Sequence, residues 1–126
     1  MNGLSWIAIL TILVVLYNLY MSFIIYNHEV AILPGSAKIL VQSGTYDHIL
    51  DVRMKEAWEQ SHFQDAVWIP LHQISPKTLA ENEIQSNETI LIYSDSNVCA
   101  YRAYKKLKKL SFVKVYYLLG SYINLI

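Results

Sequence analysis

The sequence predicts an α/β domain, a parallel sheet with helices on both faces, preceded by a single N-terminal transmembrane helix. Three observations predict it. The run Leu4–Tyr26 carries no Asp, Glu, Lys or Arg, while all ten basic and all ten acidic residues follow it. The remainder, about a hundred residues, is enough for one workable core. Within that remainder, short apolar runs alternate with segments of helical composition. Such alternation makes the strands parallel, because each crossover is a helix, and it covers the sheet on both faces.

The first element is the apolar run itself, LSWIAILTILVVLYNLYMSFIIY. At about 1.5 Å per residue it reaches roughly 30 Å or slightly more, the thickness of a bilayer's hydrocarbon layer. Trp6 stands near one end and Tyr20 and Tyr26 near the other, as interfacial aromatics do. A cleaved signal peptide fits less well. No Lys or Arg precedes the run, it is longer than a signal's apolar region, and no small-x-small site closes it. The bias of Lys and Arg towards the C-terminal side (Lys38, Arg53, Lys55 and the cluster Arg102–Lys109) places the folded part in the cytoplasm by the positive-inside rule.

The later elements follow in order. Residues 28–35 read as a linker closed by Pro34-Gly35. Ser36–Gln42 reads as a helix, with Ser36 as its cap and Ser43-Gly44 as its end. His48–Val52 is a short buried strand, and Met54–Gln60 has helical composition. Ala66–Ile69 is a strand stopped by Pro70. Ser75-Pro76 opens a helix, the serine as N-cap and the proline at the first helical position. Thr89–Tyr93 is the clearest strand, and a polar loop follows. Cys99–Leu110 is a helix with Ala103, Leu107 and Leu110 on one face, Val113–Leu118 is a further strand, and Gly120 marks a turn. The chain divides into an anchor over 1–27, a linker over 28–35 and the α/β domain over 36–126.

Three segments in register carry a family resemblance. The first is Asp51-Val52-Arg53 followed by Glu56, Trp58, His62, Ala66 and Ile69-Pro70-Leu71. The second is the strand Ile90–Tyr93 with its loop and helix. The third is Phe112, Val115-Tyr116, Leu118, Gly120 and Tyr122. Together they resemble the rhodanese homology domain, which writes DVR, E-(Y/F/W), GHIPGA and IPL, and later GF-x-x-VY-x-L-x-GG-(Y/W). The resemblance runs from about Ile32 to the C-terminus. It departs at Ser61–Ala66, where both glycines and the proline of GHIPGA are replaced.

The resemblance implies a particular chemistry. The family's loop after the central strand reads C-x-x-G-x-R-(S/T) and curls its backbone N–H groups inward at a helix start. Such a nest stabilises negative charge, and a cysteine there becomes a reactive thiolate that carries sulfane sulfur. In this register the chain reads Ser94-Asp95-Ser96-Asn97-Val98-Cys99-Ala100. Ser94 stands for the nucleophilic cysteine. Asn97 stands for the glycine, a substitution that a left-handed asparagine tolerates. Cys99 stands for the arginine, and Asp95 adds a negative charge beside an expected anion site.

Each candidate carries a plainer reading beside the functional one. Ser94 lacks an adjacent base and is expected to hydrogen-bond backbone at the helix start. Cys99, the one cysteine, is either a small core residue or a thiol that the helix start activates, and it is the catalytic candidate if catalysis remains. It has no cysteine partner for a disulfide, which suits a reducing compartment. Asp51 and Arg53 form either a pocket wall or a structural ion pair, Arg53 bonding Asp51 or Glu56. His62 is expected to orient its turn. Of the histidines His28, His48, His62 and His72, none belongs to a triad motif or has metal-ligand spacing, and no metal or cofactor is expected.

The helix Tyr101–Leu110 holds Arg102, Lys105, Lys106, Lys108 and Lys109. It is a solvated face, or it lies towards anionic lipid or an acidic partner. Zero net charge and the absence of a binding motif argue against nucleic acid. Two functions stay open. One is a non-catalytic binding or scaffold module, a pseudoenzyme held in the bilayer through residues 4–26 beside another membrane protein. The layout is similar to single-pass rhodanese-like proteins of bacterial inner (plasma) membranes. The other is a divergent sulfurtransferase or thiol-redox sulfur carrier that uses Cys99.

Overall fold

The computed structural model describes residues 3–27 and 29–126. Met1 and Asn2 of the expected anchor, and His28 of the expected linker, lie outside the described residues. The first element is α1 (Gly3–Asn27), apolar on every side and with no acidic residue in its first turn or basic residue in its last. Its stretch Ser5–Tyr26 is long and apolar enough to cross a membrane. From Trp6 to Tyr20 its large side chains are exposed. Its own domain thus leaves a long apolar surface uncovered.

After α1 come β1 (Ala31–Ile32), α2 (Pro34–Gln42), β2 (His48–Asp51), α3 (Lys55–Gln60), β3 (Val67–Trp68), α4 (Pro76–Glu81), β4 (Ile90–Tyr93), α5 (Asn97–Lys109) and β5 (Val115–Leu118). Short 3-10 turns cover Leu71–Gln73 and Tyr122–Leu125. The five strands form one parallel sheet in the order β1-β5-β4-β2-β3.

Alternation along the strands sorts the core into two layers. Leu50, Ile90, Ile92, Val115 and Tyr117 face α5, where Ala100, Ala103 and Leu107 meet them. Ile49, Leu91, Tyr93 and Leu118 face the other way, against Ala37 of α2 and Tyr122 and Leu125 of the C-terminal turn. All four residues of β4 are buried, as a central parallel strand requires.

Two boundaries differ from expectation. The stretch read as a linker contains β1, whose residues pair Ala31 with Tyr117 and Ile32 with Leu118. The next helix starts at Pro34 instead of Ser36, because a proline at N1 has its φ preset and loses no hydrogen bond there. Ser75 does cap α4: its hydroxyl accepts from Thr78 N, and the Thr78 hydroxyl accepts from Ser75 N. In the turn after β5, Gly120 sits at φ +93°, a left-handed conformation that favours glycine.

The end of α1 belongs to the domain. Ile25 is buried and Met21 half-buried in the same core layer as α5. The Tyr117 hydroxyl donates to the Ile25 carbonyl at 2.8 Å. The Asn97 amide donates to the Tyr26 hydroxyl at 2.8 Å while its oxygen accepts from Gly120 N at 2.9 Å. Tyr117→Phe keeps the packing and deletes the tie to Ile25. We expect a loss of about 0.5–1.5 kcal/mol in the chemical unfolding of the detergent-solubilised chain. The loss should vanish in a chain truncated before Val30, which lacks the acceptor.

Candidate functional site

The sheet order places the site. From β2 the chain steps outward to β3, and from β4 it steps the other way to β5. The C-terminal ends of β2 and β4 therefore flank a switch point, where open α/β sheets form their crevice. Asp51 and Arg53 lie on one side and Ser94–Ala100 on the other.

Asp51 pairs in register with Tyr93, and both side chains fall on the α2 face. Neighbouring strands are about 4.8 Å apart, so the Tyr93 hydroxyl reaches across to the carboxylate. It donates to Asp51 Oδ2 at 2.6 Å. Arg53, two residues on, turns back to the same group. Its Nε donates to both Asp51 oxygens at 3.1 Å, its Nη2 to Oδ2 at 2.8 Å, and its backbone N–H to Oδ1 at 2.9 Å. Asp51 is fully buried and Arg53 is 6% exposed. Of the two partners expected for Arg53, the structure selects Asp51.

The guanidinium has little left to offer. Nη2 also donates to the Ser61 carbonyl at 2.6 Å, and Nη1 lies 3.5 Å from Asp95. The rings of Tyr122 and Tyr93 flank it at 4.9 and 5.4 Å. Burial alone would lower the Arg53 pKa, but the hydrogen bond and charge of Asp51, with smaller help from Tyr93 and Asp95, raise it above the ordinary value. Burial and the bond to Asp51 push the Tyr93 hydroxyl well above the ordinary tyrosine range. Arg53 thus faces two carboxylates, one buried and bidentate, the other 65% exposed. An exposed pair at that distance is weak, so Asp95 is the partner an incoming anion could displace.

The loop departs from expectation at two residues. Ser96, not Ser94, caps the next helix: its hydroxyl accepts from Cys99 N at 3.4 Å, and α5 starts at Asn97. Asn97 is helical, and among the described residues the non-glycine positive φ values fall at Glu83 and Ser111. Its side-chain amide is held by Tyr26 and Gly120. Ser94 is buried at the end of β4, Val98 is exposed, Ala100 is buried, and Cys99 is half-buried with a free thiol. The geometry brings Asp51, Arg53 and Asp95 together. It leaves Cys99 in the first turn of α5, on the element whose buried residues face the opposite layer from Asp51.

Sequence reasoning missed the tyrosines. Tyr93 ends a wholly buried strand, and a buried phenol needs a partner; that was the available signal. Besides Asp51, its oxygen accepts Phe63 N at 3.1 Å, while Tyr122 donates to Ser61 Oγ at 2.6 Å. These bonds hold the segment after α3 against the crevice. His62 orients that turn as expected, its Nδ1 bonded to the Trp58 carbonyl at 2.8 Å and its ring stacked on Trp58 at 3.4 Å. Trp68 stacks on Trp58 from β3 and donates its indole N–H to the Arg53 carbonyl. Tyr101 packs against Tyr104 and Tyr117 on the α5 side. Among the described residues no group of His, Cys, Asp or Glu could hold a metal ion.

Two outcomes follow from this geometry. Asp51→Asn leaves Arg53 buried against a neutral partner and should cost about 3–5 kcal/mol in denaturant unfolding. Raising the pH should destabilise the fold through its tyrosines. Their folded pKa values lie above the ordinary 10.0: Tyr93 is raised, and burial first and neighbouring tyrosines second push Tyr46 and Tyr117 to about 12. Their contribution is complete below pH 10.0 and is lost as pH rises through the folded values. Unfolding midpoints compared on either side of that pH should fall less steeply for Tyr93→Phe than for the wild type.

Comparison with solved structures reinforces the fold. A Bacillus halodurans protein, BH2092, aligns with a TM-score of 0.66 and 24% identity over 86% of this chain and 77% of its own. The rhodanese-like domain of an Anabaena protein aligns at 0.66 and 20% identity over 77% and 73%. EanB, solved as a cysteine persulfide with ergothioneine, aligns at 0.60 and 18% identity over 70% of this chain and 24% of its own. No curated protein matches the chain. A family model, the Rhodanese-like domain, matches residues 33–124, which is most of the sequence. The chain belongs to the rhodanese-like family.

Proposed function

We propose that this chain is a membrane-tethered rhodanese-like module that binds or scaffolds and does not transfer sulfur. The observation that carries the reading is the loop after β4, which has neither the family's cysteine nor its arginine. Arg53 is a poor substitute for that arginine: it is bonded to Asp51 and Ser61, and an anion must displace Asp95 to reach its remaining face. Ser94, in the register of the family cysteine, supplies only a hydroxyl, which forms no useful persulfide. Anchoring through α1 in an inner (plasma) membrane, with the domain on the cytoplasmic side, agrees with the length of Ser5–Tyr26 and with the distribution of Lys and Arg. A second membrane protein is the partner this placement favours.

One observation favours a second reading, a divergent sulfur carrier. Cys99 is a free, half-buried thiol in the first turn of α5. A neighbour of the same fold, EanB, was solved as a persulfide. Thiosulfate-to-cyanide sulfur transfer by the full chain in detergent separates the two. We expect no turnover above background for the wild type, Ser94→Cys or Cys99→Ser. Turnover in the wild type that disappears in Cys99→Ser would reverse the assignment.

A further inference from the structure

The end of α1 and the start of α5 lie side by side and run in opposite directions. Asn97 and Val98 meet α1 around Met21, Ser22, Ile25 and Tyr26. One to two turns further along α5, the neighbours on α1 have moved back to Tyr17 and Tyr20. A notch of about 480 Å³ opens there, with Arg102 and Lys105 on one wall and Tyr17, Asn18 and Tyr20 on the other. Lys105 Nζ lies 5.7 Å from the Tyr101 ring. Across α5 a second notch of about 420 Å³ shares Arg102 and Lys105 and adds Lys106 and Lys109. No acidic side chain lines either notch.

This arrangement constrains how deeply α1 can enter a bilayer. Were all of Ser5–Tyr26 in hydrocarbon, Arg102 and Lys105 would be carried below the headgroups, at a cost of about 2.5 kcal/mol or more for each charge. With the boundary at Tyr17–Tyr20, the segment Gly3–Tyr20 spans about 27 Å, slightly under the usual ~30 Å, and such a mismatch is cheap. The two tyrosines then sit at interfacial depth beside the two cations, where aromatic and basic side chains are both favoured.

We propose that the notch between α1 and α5 is a binding site for the phosphate of an anionic phospholipid, held by Arg102 and Lys105 and flanked by Tyr17 and Tyr20. The inference rests on the membrane-tethered reading and deepens it by naming the lipid class. Positive-inside bias is weak along the sequence next to the apolar run, where Lys38 is the first basic residue. The fold supplies the missing charge in space, from a helix about eighty residues downstream. Fixed cations at this depth also agree with the end of α1 lying inside the domain core, since Met21 and Ile25 are then outside the hydrocarbon, on the domain side of the boundary.

The test uses the full chain in phosphatidylcholine vesicles carrying trace spin-labelled phosphatidylglycerol or spin-labelled phosphatidylcholine. The wild type should prefer the anionic label, and Arg102→Gln with Lys105→Gln should reduce the preference by about fivefold for each charge removed. Arg102→Lys should keep most of it. Lys38→Gln with Lys114→Gln, at exposed residues outside both notches, should leave it unchanged. Equal association of the two labels with the wild type would overturn the proposal, as would a preference untouched by the double variant. Displacement of the anionic label by soluble glycerol phosphate would overturn it in favour of a free phosphate ligand. Release of the wild-type chain by an alkaline carbonate wash is a different failure: it would remove the anchor, and the proposal with it.

Discussion

A buried ion pair organises the crevice of this domain. Removing a carboxylate and a guanidinium from water costs several kcal/mol for each ion, and their attraction offsets this only when the remaining donors and acceptors are also satisfied. Here they are. The Asp51 carboxylate accepts from the Arg53 side chain, the Arg53 backbone and Tyr93, while Arg53 spends a further N–H on the Ser61 carbonyl. The bonds join β2, β4 and the segment after α3, so the ends of two strands and one loop share a single polar centre. Tyr122 extends it to the C-terminal turn through Ser61 and the face of the guanidinium.

That centre also takes up the polar groups around the crevice. The guanidinium at the crevice is enclosed by two carboxylates and two aromatic rings. The helix start is similarly occupied. Ser96 takes the Cys99 N–H, and Asn97 is turned away from the crevice to tie α1 to the turn at Gly120. Polar groups that could have faced a ligand instead hold elements of the chain together.

Much of the sheet was readable because its strands are short, apolar and bracketed by turn residues: Ile90–Tyr93 and His48–Asp51 fall within the stretches expected for them. The Ser75-Pro76 start was equally plain, since cap and proline act within four residues. What escaped was non-local. β1 has two residues and thus no periodicity of its own, and its existence depends on β5 more than eighty positions away. Ser94 and Ser96 carry the same hydroxyl two residues apart, and only the path of the backbone decides that Ser96 caps α5. The Asp51–Arg53 pair was one of two alternatives, but Tyr93 and Ser61 were invisible as partners because register and the fold of a loop decide them. Asn97 was judged by its backbone tolerance, whereas its side chain is what matters.

The docking of α1 has a mechanical consequence. Its final turns are part of the core, and Tyr117 and Asn97 pin them to β5 and α5. On the tethered reading, the anchor is a strut and not a leash. The domain would not sweep a hemisphere above the bilayer. It would be held at one height and one tilt, with rotation about the membrane normal as its main freedom. A partner would then meet the crevice by lateral diffusion in two dimensions and in a restricted set of orientations. Reach, more than affinity, would decide which neighbours can engage it.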